Sequence, residues 1–326
     1  MELNVTGRSV LVTDGSEAAV ATVSALLREG ADVTVAAPTV CAAVEDLAHR
    51  GLLTWVSTTP DGSSFDVVVR AAALRRPEPA PTPEDRTGQV TLVGAGPGDP
   101  GLVTVAGRSA IEEADVVVAD RLAPWEAVAW ASPDAQVLDV SKIPYGRSTS
   151  QDEINRLLVE HARAGRRVVR LKGGDSFVFG RGFEEVIACA EAGVPTRVVP
   201  GVTSSIAGPA VAGIPVTHRG LVQGFTVVSG HVPPGHPKST LDYTALARSG
   251  TTLVVLMGVR TLPEIVTALV SGGLDPATPC AVVADATLAS QRVVRSSLAQ
   301  IVDDATAAGI GAPAVTVIGA VAGLEP

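Results

Sequence analysis

The chain is poor in several things that whole classes of function require. Aromatics make up 3% of its 326 residues, and 34 acidic groups outnumber 25 basic ones, for a formal net charge of −9. Nucleic-acid binding needs basic surface and stacking platforms, so this composition excludes it as a general role. Only three cysteines occur, Cys41, Cys189 and Cys280. Their spacing suits neither a metal knuckle nor a disulfide framework, and a reducing cytoplasm is the expected location. No apolar run reaches the roughly 18 residues of a membrane span. Residues 1–15 carry no basic stretch followed by an apolar core, so no signal peptide is expected. His231 and His236 lack a third ligand and read as loop histidines, not a metal site.

Small and apolar residues are plentiful. Hydrophobic residues account for 46%, with 33 Gly and 23 Pro. That mixture describes a globular α/β protein with many tight turns. The length suits roughly two domains. Residues 75–86, RRPEPAPTPEDR, alternate proline with charge in the manner of an extended linker. The expected division is a partial Rossmann-like domain at 1–74, a linker at 75–88 and a larger domain at 89–322. The Gly-, Pro-, Ser- and Thr-rich stretch 201–220 separates that larger domain into lobes at about 89–200 and 201–322.

In the first part, strands are expected at 9–13, 32–36, 53–56 and 66–69, with helices at 17–29 and 39–49. A dinucleotide site needs glycine where the backbone meets pyrophosphate at a helix N-terminus. Here Asp14-Gly15-Ser16 keeps one such glycine and sets a carboxylate beside the expected phosphates. Like charges repel there, so NAD is not expected to bind.

In the long part, strands are expected at 90–93, 116–119, 137–140, 167–171 and 197–199, then at 225–229, 252–257, 280–283 and 314–318. Helices are expected at 103–113, 151–164, 182–192, 262–271 and 298–308. Two glycine-rich segments follow strands. The first, VGAGPGDPG at 93–101, carries Pro97 and Pro100, which remove backbone donors that a phosphate would use. It suits close approach by a flat uncharged group such as an adenosine or a thioether, although a stiff turn accounts for this motif equally well. The second, RLKGGDSFVFGRG at 170–182, gathers glycine and charge at a strand end, and three of the five Phe lie between Phe177 and Phe183. Open α/β sheets bind ligands at that edge.

These motifs and those that follow them resemble the tetrapyrrole (corrin and porphyrin) methylases, and within them the uroporphyrinogen-III C-methyltransferases. The matching text, in order over 90–321, is VGAGPGDPGLVTVAG, ADVVVADRL, RLKGGDSFVFGRGFEE, VVPGVTSSIAGPAVAGIPVTHR, SGH, LVVLMG and QRVV. The resemblance implies a two-lobed α/β methylase fold, a homodimer and a small-molecule tetrapyrrole substrate. The implied reaction is methyl transfer from S-adenosylmethionine to C2 and C7 of uroporphyrinogen III, giving precorrin-2 for cobalamin or sirohaem. It implies methyl-donor contacts at Pro97, Gly173, Gly174, Asp175, Val178, Thr203, Ser204, Met257 and Ala286. The proton acceptor falls on Asp120 of the DRL motif and the proton donor on Lys142. Arg121, Lys172, His218 and Arg219 would hold substrate acids, with a structural role for His218 equally open.

The sequence departs from the family pattern in places. Ser141 and Ile143 flank Lys142 where relatives carry glycine and arginine, and Ser176 replaces a proline. The chemistry is consistent with these residue types. A pyrrole carbon attacks a sulfonium methyl, so the protein has to align the reacting atoms and remove a proton. Alternatives are a tetrapyrrole methylase acting later in cobalamin synthesis and a bifunctional dehydrogenase–methylase. GRSVLVTDGSEAA and GADVTVAAP resemble the start of precorrin-2 dehydrogenase domains. The segment is about half that domain's length and lacks its ATDD text, so a remnant without dehydrogenase activity is expected.

Charge is unevenly spread. Residues 141–220 hold 11 Lys and Arg against 7 Asp and Glu. An acidic chain can therefore still draw a polycarboxylate into one cleft.

Overall fold

The computed structural model describes residues 5–16, 19, 22–23, 26–27, 29–69, 87–140 and 149–324. The chain divides into two compact units, Met1–Pro81 and Thr82–Pro326. The expected linker at 75–86 and part of the helix expected at 17–29 lie outside the described residues; Ala19, Thr22, Val23, Leu26 and Leu27 are helical.

The first unit holds β1 (Ser9–Val12), β2 (Asp32–Ala36), β3 (Thr54–Val56) and β4 (Val67–Val69). All pair in parallel in the order β3-β2-β1-β4. That is the front half of a doubly wound sheet, whose order reverses between β1 and β4. Val10, Val12, Val33 and Val35 alternate inward and form its core with Val23 and Val44.

The second unit contains two five-stranded sheets. In the first, β5 (Gln89–Gly94), β6 (Val116–Ala119), β7 (Gln136–Asp139), β8 (Arg167–Lys172) and β9 (Thr196–Val199) run parallel in the order β7-β6-β8-β5-β9. A parallel sheet is covered on both faces, which is why these strands read as near-continuous apolar runs. One face packs Val93, Val117, Val169 and Leu171 against Ile111 and Ala127. The other packs Leu92, Val116, Val118 and Val168 against Ile154, Leu158 and Cys189. The helices Gln151–Arg163 and Gly182–Glu191 carry those last three side chains.

The second sheet orders β10 (Phe225–Ser229), β11 (Thr252–Leu256), β12 (Pro279–Ala284), β13 (Arg292–Ser297) and β14 (Ala314–Ile318) as β10-β11-β14-β12-β13. β14 is antiparallel to both β11 and β12, and β10 is parallel to β11. The carboxyl ends of β10, β11 and β12 therefore share one edge. Cys189 and Cys280 are buried, and burial pushes their thiols up to about 11 and about 12. They act as small core hydrophobes. No helix among the described residues is long and apolar enough to cross a membrane.

Short helices at Trp125–Val128 and Tyr243–Ala247 were not expected, and three further differences have a clear physical reason. β13 is not among the expected strands; RVVRSS has a polar pattern because it is an edge strand paired only to β12. Its Arg295 also serves the fold, donating to the carbonyls of Ala322, Leu324 and Ala212 at 2.8–3.0 Å. The supposed hinge 201–220 contains the helix Ser204–Val211, despite an internal Pro209 and Gly208. Small residues are needed there: a Cβ on Gly208 would lie 3.2 Å from Val315. Close packing overrides poor helix propensity. The last helix spans Ile301–Ala307, shorter than expected, because Ser297 still belongs to β13 and Leu298 is fully buried beyond it.

Candidate active site

Three glycine loops meet at the carboxyl ends of β5, β8 and β9. Gly96 and Gly174 exchange backbone hydrogen bonds, at 3.1 Å and 2.6 Å. A Cβ on Gly94 would sit 2.5 Å from the Gly201 nitrogen and 2.8 Å from the Gly174 oxygen. Only chains without side chains can approach so closely. Asp175 staples two of these loops, its Oδ2 accepting from the Gly201 amide at 3.0 Å and its Oδ1 from the Phe177 amide at 2.8 Å. A fourth loop joins them: a Cβ on Gly173 would meet Leu122 Cβ at 2.6 Å. The space above Gly174 (φ +66°) stays open, with only the Ser204 amide within 3.8 Å of where its Cβ would lie. A flat ligand can lie directly on this main chain.

The edge of the second sheet faces the same place. The Asp99 amide donates to Thr287 Oγ1 at 2.9 Å, and the Thr287 amide donates to Gln291 Oε1 at 2.8 Å. These bonds tie the loop after β5 to the loop after β12. Among the described residues, the non-glycine residues with positive φ are Phe179, Arg181, Met257, Asp285 and Thr287. All lie in the loops that follow β8, β11 and β12. Such strain costs about 1–3 kcal/mol per residue and gathers where geometry serves a ligand.

Asp120 follows β6 at this edge. Its Oδ1 accepts from the Leu122 amide at 3.0 Å, and its Oδ2 lies 3.5 Å from a terminal nitrogen of Arg170. Period-2 alternation puts Val168, Arg170 and Lys172 on one face of β8, so two cations enter an otherwise apolar layer. They are neutralised by Glu185, in the first turn of the helix Gly182–Glu191. Glu185 Oε1 accepts from Arg170 Nε at 3.0 Å, Lys172 Nζ at 3.0 Å and Gln151 Nε2 at 3.2 Å. Arg170 is 3% exposed, Lys172 4% and Glu185 0%. Burial, followed by the nearby Arg170 guanidinium, presses the Lys172 ammonium below its ordinary value, while Glu185 pulls it back.

The expected site residues therefore separate. Pro97, Gly173, Gly174, Asp175, Ser204 and Asp120 stand on the converging loops. Thr203 caps the helix Ser204–Val211, accepting from the Ser205 amide at 3.4 Å. Met257 follows β11 with φ +57° and is half exposed. Ala286 sits between the two strained residues after β12, and a Cβ on Gly208 would be 3.6 Å from it. Val178 is partly buried against Val254, Leu256 and Val315 of the second sheet. Arg121 is exposed beside Asp120.

Lys172 is a correction. Its amine points into the core to Glu185, so it cannot hold substrate acids. His218 and Arg219 lie on an exposed hairpin, where His218 Nδ1 accepts from the Gly220 amide at 3.2 Å. The recess there, about 360 Å³, is lined by Thr217, His218, Arg219, Val222 and Gln223 and by none of the glycine loops. Lys142 lies outside the described residues. Arg170, Glu185, Thr287 and Gln291 were not singled out from sequence. Two cations two residues apart on a buried strand were the available signal for the first pair.

The first unit has its own crevice of about 500 Å³ at the ends of β1 and β2, lined by Thr13–Ser16, Ala36–Cys41 and Thr59. Asp14 fills the place of a phosphate: its carboxylate accepts from the Ser16 amide at 2.8 Å and the Ser16 hydroxyl at 3.0 Å. The donor a pyrophosphate would need is taken, and the carboxylate repels it. A nicotinamide dinucleotide does not fit these residues.

Comparison with known proteins agrees with the glycine-loop geometry of the second unit, while the first unit matches a family whose described ligand its Asp14 turn does not fit. Residues 89–302 match the family of Tetrapyrrole (Corrin/Porphyrin) Methylases, and residues 1–121 match a family described as Putative NAD(P)-binding. The Uroporphyrinogen-III C-methyltransferase of Methanocaldococcus jannaschii is 45% identical over 236 residues, covering 72% of this chain and 97% of that protein. That of Pseudomonas aeruginosa is 46% identical over 235 residues, covering 72% and 94%. Among solved structures, the Thermus thermophilus Uroporphyrin-III C-methyl transferase complexed with S-adenyl homocysteine is 42% identical. It matches with a TM-score of 0.60, covering 72% of this chain and 98% of that one.

Proposed function

Because the chain belongs to the tetrapyrrole (corrin/porphyrin) methylases, we propose that its inter-lobe cleft methylates uroporphyrinogen III at C2 and C7, yielding precorrin-2. The observation that carries the reading is the meeting of three glycine loops beside a half-buried carboxylate, Asp120. S-adenosylmethionine, when bound, supplies the sulfonium methyl. The open main chain at Gly173–Asp175 and the loop at Pro97 would hold it from the first sheet, and Thr203, Ser204, Met257 and Ala286 from the other side. Val178 supports this arrangement by packing the GGD loop onto the second sheet.

The chain's own residues then have two tasks. They align a pyrrole carbon with the methyl, which lowers the entropic part of the barrier. They also remove the ring proton once the new C–C bond forms. Asp120 would take that proton, held by the Leu122 amide on one oxygen and faced by Arg170 on the other. Lys142, expected as proton donor, would relocate a proton on the macrocycle, with no net proton returned. Arg121, exposed next to Asp120, would pair with the carboxylate arms of the macrocycle, joined by His218 and Arg219 of the exposed hairpin.

A cytoplasmic homodimer completes the proposal. Phe177, Phe179, Phe183 and Ile187 are all exposed, with the Phe177 and Phe183 rings edge to face at 6.0 Å, and such an apolar patch suits a partner surface.

Incubation of the purified protein with S-adenosylmethionine and uroporphyrinogen III under reducing conditions should add two methyl groups, read by mass spectrometry. No mass gain would sink the proposal. The first unit is proposed to contribute no dehydrogenation. Titration of NAD against the full chain should give no saturable binding at micromolar concentration, and a tight isotherm would overturn that reading.

A further inference from the structure

Glu185 lies outside the cleft, touches no loop glycine, and has a fully buried carboxylate. Yet it anchors Arg170, a buried side chain that reaches from the core to Asp120. The Arg170 guanidinium is gripped at several points: Nε by Glu185 at 3.0 Å, and one terminal nitrogen by the carbonyls of Val118 at 3.2 Å and Leu171 at 3.0 Å. The remaining terminal nitrogen is left to face Asp120 Oδ2 at 3.5 Å. A planar guanidinium fixed on two sides has no freedom to rotate its third, so the position of the Asp120 carboxylate is set from inside the protein.

The charges support the same conclusion. Arg170 and Lys172 are two buried cations, Glu185 is a buried anion shared between them, and Asp120 at the rim brings the cluster to neutrality. Buried charge is tolerated only when paired and hydrogen-bonded. Without Glu185, Asp120 would be the counter-charge left in this cluster among the described residues, and Arg170 would be released to follow it.

We infer that Glu185 is a positioning residue for methyl transfer, acting through Arg170 to hold the Asp120 carboxylate where it accepts the substrate proton. Lys172 and Gln151 serve this arrangement by donating to the same Glu185 Oε1. The inference rests on the reading of Asp120 as proton acceptor in the proposed function. It adds a residue that sits behind the cleft wall and meets no ligand.

A double-mutant cycle tests it. Glu185→Gln keeps the size and an oxygen for the three donors but removes the charge. Its single-turnover rate should fall about 10- to 100-fold, the scale of a reacting group displaced by a fraction of an ångström to an ångström. KM for S-adenosylmethionine and the affinity for S-adenosylhomocysteine should stay within twofold, which also shows that the fold and the glycine loops survive. In an Asp120→Asn background the same substitution should have no further effect, because the group it positions is already gone. An unchanged rate in Glu185→Gln, or an equal loss in both backgrounds, would overturn the inference. If Glu185→Gln no longer binds S-adenosylhomocysteine, Arg170→Lys takes its place in the cycle. Its amine keeps the charge but cannot span both carboxylates, and the same non-additivity is required. A fully active Asp120→Asn would instead remove the proton-acceptor reading itself, a separate and recognisable result.

Discussion

Asp120→Asn should lower turnover by about 10²- to 10⁴-fold, the range in which a positioned general base contributes. The substitution keeps the acceptor for the Leu122 amide and the shape of the loop, and it removes only the charge and the basicity. S-adenosylhomocysteine affinity should therefore stay near that of the parent protein, measured by calorimetry on the same preparation. A variant that turns over at the parent rate would show that the ring proton leaves by another route. Arg170 would lose its partner at the cleft rim, so a modest fall in melting temperature is expected as well. Asp120 is part-exposed, with 30% of its side chain accessible, and solvent compensates for much of that loss.

Gly201→Ala should weaken methyl-donor binding by a purely steric route. The added Cβ would collide with the Gly174 oxygen and stand 2.5 Å from the Gly94 carbonyl carbon and 2.6 Å from its Cα. Every contact is backbone, so no side chain can swing aside. Relief requires the loops after β5, β8 and β9 to separate. Overpacking of this kind costs about 1–3 kcal/mol in stability, and S-adenosylhomocysteine affinity should fall by at least about tenfold. Gly311→Ala is the control: nothing lies within 4 Å of its Cβ position, and its melting temperature and affinity should not change. Equal behaviour of the two variants would mean that the glycine convergence is not the binding surface.

Most strands of both lobes were legible because their signal is local. Val116–Ala119 and Phe225–Ser229 occur where an apolar run between turn residues places them. The glycine loops were legible for the same reason, since a strand followed by Gly, Pro and Asp describes its own turn. Of the elements that were hidden, two show why. Ser204–Val211 has a composition that disfavours a helix, and it folds because its small residues let it press onto β14. Arg292–Ser297 carries arginine and serine as an edge strand does, and only its pairing with β12 distinguishes it from a loop.

The candidate site divides along the same line. Asp120, Gly173, Gly174 and Asp175 announce themselves by residue type at strand ends, and the resemblance to the methylases assigns them roles. Lys172 has as strong a signature and was assigned to substrate, yet its amine is committed to Glu185 inside the protein. Local pattern shows that residues 170 and 172 share a face of β8, but it cannot say whether that face meets solvent or two packed helices.

The sequence by itself determined the class of the protein, its acidic character with a basic middle, the strand-and-loop order and the family whose chemistry that order carries. These depend on short-range periodicity, on turn residues and on ordered motifs. Only the tertiary structure decided which charges stand at the cleft rim and which are buried and paired. That choice rests on partners brought together from separate elements: Arg170 on β8 with Glu185 on a later helix and Asp120 after β6, and Gly94 with Gly174 and Gly201. A charge or a glycine acquires its role from what packs against it, and the packing partner is not encoded in its own segment.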